Sequence, residues 1–269
     1  MLYLCPKCQN ELQLKDRNYC CINNHHYDVA KEGYVNLILA NQKNSKLPGD
    51  SKESLQSRKK FLDTGYYQVL SDKVNEIVKG LTKPDSCILD AGCGTGYYLS
   101  RLVDSMKTSA SFYGVDVGKE AVKMASKLNK EAAFAVCSVF HLPVKNECFD
   151  IVMSIFCPYS AEEFSRVTKK DGYVIAVTPG KRHLYEMKEL VYENPYENAE
   201  EGYLLPDFNL VESVKVTTKI ILKSNEDIVS LWKMTPYYHK TNQSANQKLF
   251  SCDKIETVID FMVNVYKKK

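Results

Sequence analysis

Residues 86 to 116 constrain the architecture of this chain more tightly than any other stretch. An apolar run, Cys87-Ile88-Leu89, leads into Asp90-Ala91-Gly92-Cys93-Gly94-Thr95-Gly96, and a helix-like pattern follows through Leu99, Leu102 and Val103. Twenty residues beyond Gly96, a second apolar run ends in Asp116. Glycine tolerates the backbone needed to turn sharply from strand into helix, and it lets a ligand approach the main chain. A carboxylate at the tip of the second strand can accept both hydroxyls of a ribose. Strand, glycine loop, helix, strand and acid in this order predict an open α/β sheet with a nucleoside-bearing ligand at the strand ends. Further strands are expected from AAFAVC at 132–137, FDIVMSIF at 149–156 and GYVIAVTPG at 172–180, with helix-like segments between them.

The loop narrows the ligand. The dinucleotide fingerprint has the form G-x-G-x-x-G, whereas here glycines alternate and an acid, Asp90, precedes the first of them. A carboxylate so placed repels a pyrophosphate and suits a ligand carrying an ammonium and a sulfonium. This D-x-G-x-G-x-G stretch resembles the first motif of class I S-adenosylmethionine-dependent methyltransferases. The resemblance implies a Rossmann-like open sheet and assigns the cofactor to Asp90, Gly92, Gly94, Thr95, Gly96 and Asp116.

A second constraint lies at the other end of the chain, where residues 5 to 26 hold four of ten cysteines and two of five histidines. No apolar run approaches the roughly 20 residues that span a bilayer, and no charged-then-apolar leader pattern opens the chain, so the expected location is the cytoplasm. Disulfides are rare there, which makes clustered cysteines metal ligands before cross-links. Cys5 and Cys8 are two residues apart, twelve residues precede Cys21, and three more precede His25. Two chelating pairs joined by a spacer long enough for a hairpin suit tetrahedral zinc. Cys20 and His26 stand beside the second pair and are alternative ligands. Four protein ligands leave no open position, so the expected zinc is structural. A net charge of +3 does not by itself announce nucleic-acid binding, although Lys7, Lys15, Arg17 and the clusters Arg58-Lys59-Lys60 and Lys181-Arg182 are available to phosphates.

A zinc module ahead of such a core is similar to one family, the bacterial 23S ribosomal RNA (guanine-N1) methyltransferases. The likeness is carried by the C-x2-C-x12-C-x3-H pattern, KEGYVNL at 31–37, PGD at 48–50, RKKFLDTGYYQVL at 58–70, the glycine loop, TPGKRHL at 178–184 and MTP at 234–236. It implies methyl transfer from S-adenosylmethionine to N1 of a guanine in a hairpin loop of 23S rRNA. It also implies that Tyr67, the Gly94-Thr95 backbone and His183 surround the cofactor. The expected organisation is a zinc-binding RNA-recognition module over residues 1–36, then a linker and methyltransferase domain over 37–269, with separate cores. The implied partners are RNA and a second copy of the chain in a homodimer, with no role for membrane or DNA.

The chemistry needs a way to remove a proton, because N1 of guanine carries one at neutral pH. Asp50, His183 and Glu162 are candidate bases, and the residues alone assign none of them. Trp232, Tyr237 and Tyr238 read either as stacking surfaces for splayed bases or as packing against the sheet. Cys87, Cys93, Cys137, Cys148 and Cys157 fall in or beside strands, where a thiol packs as a small apolar group. Lys267-Lys268-Lys269 reads as a solvated tail. The alternatives are a class I methyltransferase acting on a small molecule or another RNA, and a non-catalytic zinc-containing RNA-binding protein.

Overall fold

The computed structural model describes residues 2–39, 49–106, 108–200 and 202–269; of the PGD motif, Pro48 lies outside these. Its frame is an eight-stranded sheet. The central strands are β5 (Cys87–Ala91), β6 (Ser111–Asp116), β7 (Ala133–Val136), β8 (Phe149–Ile155) and β9 (Thr168–Pro179). They run parallel in the order β9-β8-β5-β6-β7. Two strands close one side antiparallel: β11 (Ile255–Lys268) pairs with β9, and β10 (Phe208–Leu222) pairs with β11. The chain moves from β5 outward through β6 and β7, then returns to the other side of β5 at β8. This reversal makes the carboxyl ends of β5 and β8 the crevice where such sheets take ligands.

Alternate residues of each strand face opposite sides, and the burial follows that rule. Ile88, Ile151, Met153, Ile175 and Val177 pack in one apolar cluster with α2 (Gln68–Leu81), α3 (Tyr97–Ser105) and α4 (Lys119–Leu128). Leu89, Val152, Val174 and Ala176 pack in a second cluster with α5 (Ala161–Val167).

That second face carries the N-terminal module. Three short antiparallel strands, β1 (Gln13–Lys15), β2 (Asn18–Cys20) and β3 (His26–Asp28), form its ribbon. Tyr3, Cys5, Leu12, Tyr19 and Cys21 lie in the same apolar cluster as Leu89, Val115 and Ala135. The Tyr3 ring meets Tyr19 and Tyr113 edge to face, with centroids 5.7 and 6.2 Å apart. The expectation of separate cores is therefore corrected. Two layers cover a sheet only if each apolar face finds a partner, and on this face α5 leaves room that the ribbon fills.

The segment expected as linker is also partly structural. Within KEGYVNL, Gly33 turns at φ 103°, and Tyr34–Asn36 forms β4, parallel to β7 at the sheet edge. After it, α1 (Lys52–Asp63), capped by the Ser51 hydroxyl, buries Leu55, Phe61 and Leu62. The lysine tail is not a tail. Lys267 and Lys268 end β11, Lys268 Nζ donates to the carbonyls of Ser165 and Thr168 at 2.8 Å, and Lys267 pairs with Asp171 at 2.9 Å. Strand pairing with β9 and β10 continues to the last residues and holds them.

Candidate active site and zinc centre

The zinc ligands come from two similar turns. Asn10 and Gln9 close the first on Cys5, whose carbonyl accepts from the Gln9 amide at 2.8 Å. Asn24 closes the second on Cys21 at 3.0 Å. Gln9 and Asn24 take positive φ, 58° and 56°, which sends the chain back sharply enough for each pair to face one point. Cys5, Cys8, Cys21 and His25 meet there, with their ligand atoms all within 4.8 Å of one another. Cys8 Sγ and Cys21 Sγ are 3.6 Å apart, and His25 Nδ1 is 3.4 and 3.5 Å from the sulfurs of Cys5 and Cys21. A tetrahedron with zinc–sulfur bonds near ~2.3 Å has edges of this size, so the four groups fit the metal. The Asn10 amide donates to Cys8 Sγ at 3.3 Å and lowers that thiol to about 5, favouring the thiolate that zinc needs. Cys20 and His26 face each other across the β2–β3 ladder instead, and His26 Nδ1 lies 2.9 Å from Asn18 Oδ1.

The second site forms where β5 and β8 end. Gly92, Gly94 and Gly96 all have positive φ, and the amides of Gly92 and Cys93 donate to the Val115 carbonyl at 2.8 and 2.9 Å. A Cβ on Gly92 would stand 2.1 Å from Cys157 Sγ, just beyond β8, and one on Gly96 would stand 2.7 Å from the Ala125 Cβ of α4. The loop is thus pressed between two elements, and only glycine fits. Asp116 closes it: its carboxylate accepts from the Gly94 amide at 3.0 Å and from the Gly118 amide at 2.7 Å.

The crevice holds two carboxyl groups whose charged forms burial opposes. Burial, and then the charge of Asp116, pushes the Asp90 carboxyl up to about 7. Asp116 is also raised, by burial against the two amides that stabilise its charged form. Tyr98, in the first turn of α3, has a buried hydroxyl with no hydrogen-bond partner among the described residues. A buried and a half-buried carboxyl, a hydroxyl unpaired among the described residues and close-approach glycines fit a cationic, nucleoside-bearing ligand and not a pyrophosphate.

Comparison with known proteins decides the family. A zinc-ribbon profile described as RlmA, N-terminal, matches residues 3–46, and a methyltransferase-domain profile matches residues 82–245. The 23S rRNA (guanine(748)-N(1))-methyltransferase of Streptomyces fradiae is 30% identical over 226 residues, covering 81% of this chain and 79% of that protein. The chain belongs to the 23S rRNA (guanine-N1)-methyltransferase family. YxjB of Bacillus subtilis, provisionally given the same activity, is 30% identical over 201 residues, covering 71% of this chain and 69% of its own length. As a class I methyltransferase, the chain takes S-adenosylmethionine as its cofactor.

Family resemblance directs attention to Tyr67 and His183, and the structure brings these two together. Tyr67, at the start of α2, is buried, and its hydroxyl lies 3.2 Å from His183 Nε2. Both rings pack on Phe261 of β11. His183 Nδ1 accepts the Asp260 amide at 3.3 Å, so the neutral ring keeps its proton on Nε2, facing Tyr67. Burial, and then the charge of Lys188, lowers His183 to about 3. A ring so held is a poor base. Of the other candidate bases, Glu162 is exposed on the first turn of α5, while Asp50 pairs at 2.6 Å with Arg58, whose guanidinium reaches Gly94. Gly49 packs so closely on Gly118 that an added Cβ would be 2.7 Å from its Cα.

The C-terminal aromatics serve packing. Trp232 is fully buried and donates to Asn246 Oδ1 at 2.6 Å, and Tyr237 is buried with its hydroxyl on Asn198 Oδ1 at 2.7 Å. Two further residues stand at the crevice. Phe156, immediately after β8, has φ 54° and a ring 42% exposed, an unusual combination for a bulky residue. Arg58 hides inside a basic run whose members are all paired: Arg58 with Asp50, Lys59 with Asp63 and Lys60 with Glu226.

Proposed function

We propose that this chain methylates N1 of a guanine in 23S rRNA, working in the cytoplasm. The observation that carries the reading is the fusion of a four-ligand zinc ribbon to the face of a methyltransferase sheet. A small-molecule enzyme has no use for that ribbon, and a non-catalytic RNA binder has no use for Asp90, Gly92, Gly94 and Asp116 together. The guanine-N1 relatives extend over both parts of the chain.

Bound S-adenosylmethionine supplies an activated methyl on a sulfonium. In this reading Asp116 receives the ribose hydroxyls, and Asp90 holds positive charge near the loop. The Gly94-Thr95 backbone and the edge of Gly96 shape the adjoining wall, while Tyr67 and His183 brace one another beside it. Cys5, Cys8, Cys21 and His25 hold zinc and thereby the ribbon, residues 1–36 forming the RNA-gripping part and residues 37–269 the linker and catalytic part. Lys7 and Lys15 are exposed on the ribbon and face phosphates in this reading. Arg17 contributes less, since its guanidinium donates to the Ala30 carbonyl at 2.7 Å. The target guanine lies in a hairpin loop, where an unpaired base can be splayed out for chemistry, and the active species is a homodimer.

Incubation with methyl-labelled S-adenosylmethionine and, in parallel, ribosomal RNA, transfer RNA or a metabolite extract tests the proposal. Label is expected in ribosomal RNA alone. Label confined to the extract would replace this reading with the small-molecule one.

A further inference from the structure

We propose that Asp50 is the carboxylate that grips the guanine edge and takes the N1 proton, with Arg58 as its positioning residue. The inference rests on the guanine-N1 reading above and names the base that this reading leaves open.

Three segments, two of them distant in sequence, converge on one guanidinium. Arg58 Nη2 pairs with Asp50 Oδ2 at 2.6 Å and lies 3.5 Å from the Met234 carbonyl. Its Nη1 is 3.3 Å from where a Cβ on Gly94 would stand. One contact joins α1 to the segment before it, one joins α1 to the turn after α7 (Asn225–Lys233), and one reaches the glycine loop. The neighbouring Gly49 is seated on Gly118, whose amide binds Asp116. Asp50 is thereby fixed at the rim of the crevice, not carried on a free loop.

The carboxylate remains open to an incoming base, for the Asp50 side chain is 40% exposed and Arg58 31%. Its charge also reaches the crevice: after burial, Asp50 is among the causes that raise Asp116 and that push the Cys157 thiol up to about 12. The charged and titratable groups facing it are Arg58 from α1, Asp116 from the end of β6 and Cys157 after β8.

Guanine offers two adjacent donors, N1–H and the exocyclic amino group, and a carboxylate accepts both through its two oxygens. The same contact that recognises the edge receives the proton. The N1–H bond breaks with its proton passing to an oxygen of Asp50 and its electron pair staying on N1. N1 bonds the methyl carbon as the carbon–sulfur bond breaks with its pair left on sulfur, and Asp50 then releases the proton to water. Arg58, paired at 2.6 Å, keeps the carboxylate aimed.

The test compares wild type, Asp50→Asn and Asp50→Glu on 23S rRNA across pH, alongside S-adenosylmethionine affinity by calorimetry. Asp50→Asn should lower kcat by about 100-fold or more with cofactor affinity within about threefold of wild type. Its residual rate should climb with pH as guanine N1 ionises by itself, while the wild-type rate stays level over the same range. Asp50→Glu, which keeps the charge, should retain more activity than Asp50→Asn. Unchanged kcat, a pH profile parallel to wild type, or a loss confined to cofactor affinity would each overturn the assignment. If wild type itself transfers no methyl to 23S rRNA, the guanine reading fails first, and the base assignment falls with it.

Discussion

Asp116 shapes the loop through the Gly94 and Gly118 amides, and in the proposed site its remaining lone pairs receive a ribose. Asp116→Ala removes charge-assisted bonds and leaves two amides unpaired. It should weaken S-adenosylmethionine binding by about 2 kcal/mol or more, roughly 30-fold. Calorimetry reads this directly, and unchanged affinity would put the ribose elsewhere. Asp90 predicts a pH effect. Its carboxyl is raised to about 7 by burial and then by Asp116, so the proton favours the folded, ligand-free state. That stabilisation is complete below the usual carboxylate range and is lost as pH rises through about 7. A cationic ligand reverses the preference, so binding at pH 6.5 should release a proton and binding at pH 8.5 should release almost none. Titrations in buffers of different ionisation enthalpy measure that release, and equal proton counts at both pH values would remove Asp90 from the site.

At the scale of elements, the parallel strands are legible because buried strands read as short apolar runs, and the glycine loop because three positive-φ positions in five residues tolerate little else. The zinc site is legible from spacing, but Cys20 and His26 stand as alternatives to Cys21 and His25 until the two turns are in place. Other elements leave no such trace. β4 is three residues long, and its identity depends on β7 being there to pair. β10 exposes most of its length, so its residues carry a weak pattern, and the lysines ending β11 look like a solvated tail until Asp171 and the Ser165 and Thr168 carbonyls are in place. Arg58 is visible only as part of a basic run; its approach to Gly94 and Met234, both distant in sequence, is not. The shared cluster beneath the ribbon makes a prediction of its own. Cys5→Ser should lose zinc, and because Cys5 packs with Leu12, Tyr19 and Leu89 it should also lower the melting temperature of the whole chain. Metal analysis and calorimetry on one sample check both, and a zinc-free variant melting like wild type would mean that the ribbon folds independently.

For the whole molecule, the shared core changes how RNA grip should be separated from chemistry. Deleting residues 1 to 30 would strip Tyr3, Leu12 and Tyr19 from the sheet face, exposing apolar surface worth about 1.5–3 kcal/mol per large side chain. Charge reversal leaves the packing intact. Lys7→Glu with Lys15→Glu should keep cofactor affinity, weaken RNA binding, and make its dependence on salt shallower by about the two lost phosphate contacts. An unchanged salt slope would move the RNA to another surface. The central claim is tested most directly by one product analysis. Unmodified 23S rRNA is incubated with the zinc-loaded protein and S-adenosylmethionine, digested to nucleosides and resolved by mass spectrometry. The account predicts 1-methylguanosine as the new nucleoside; a different methylated nucleoside, or none in a sample whose cofactor binding is intact, would contradict it.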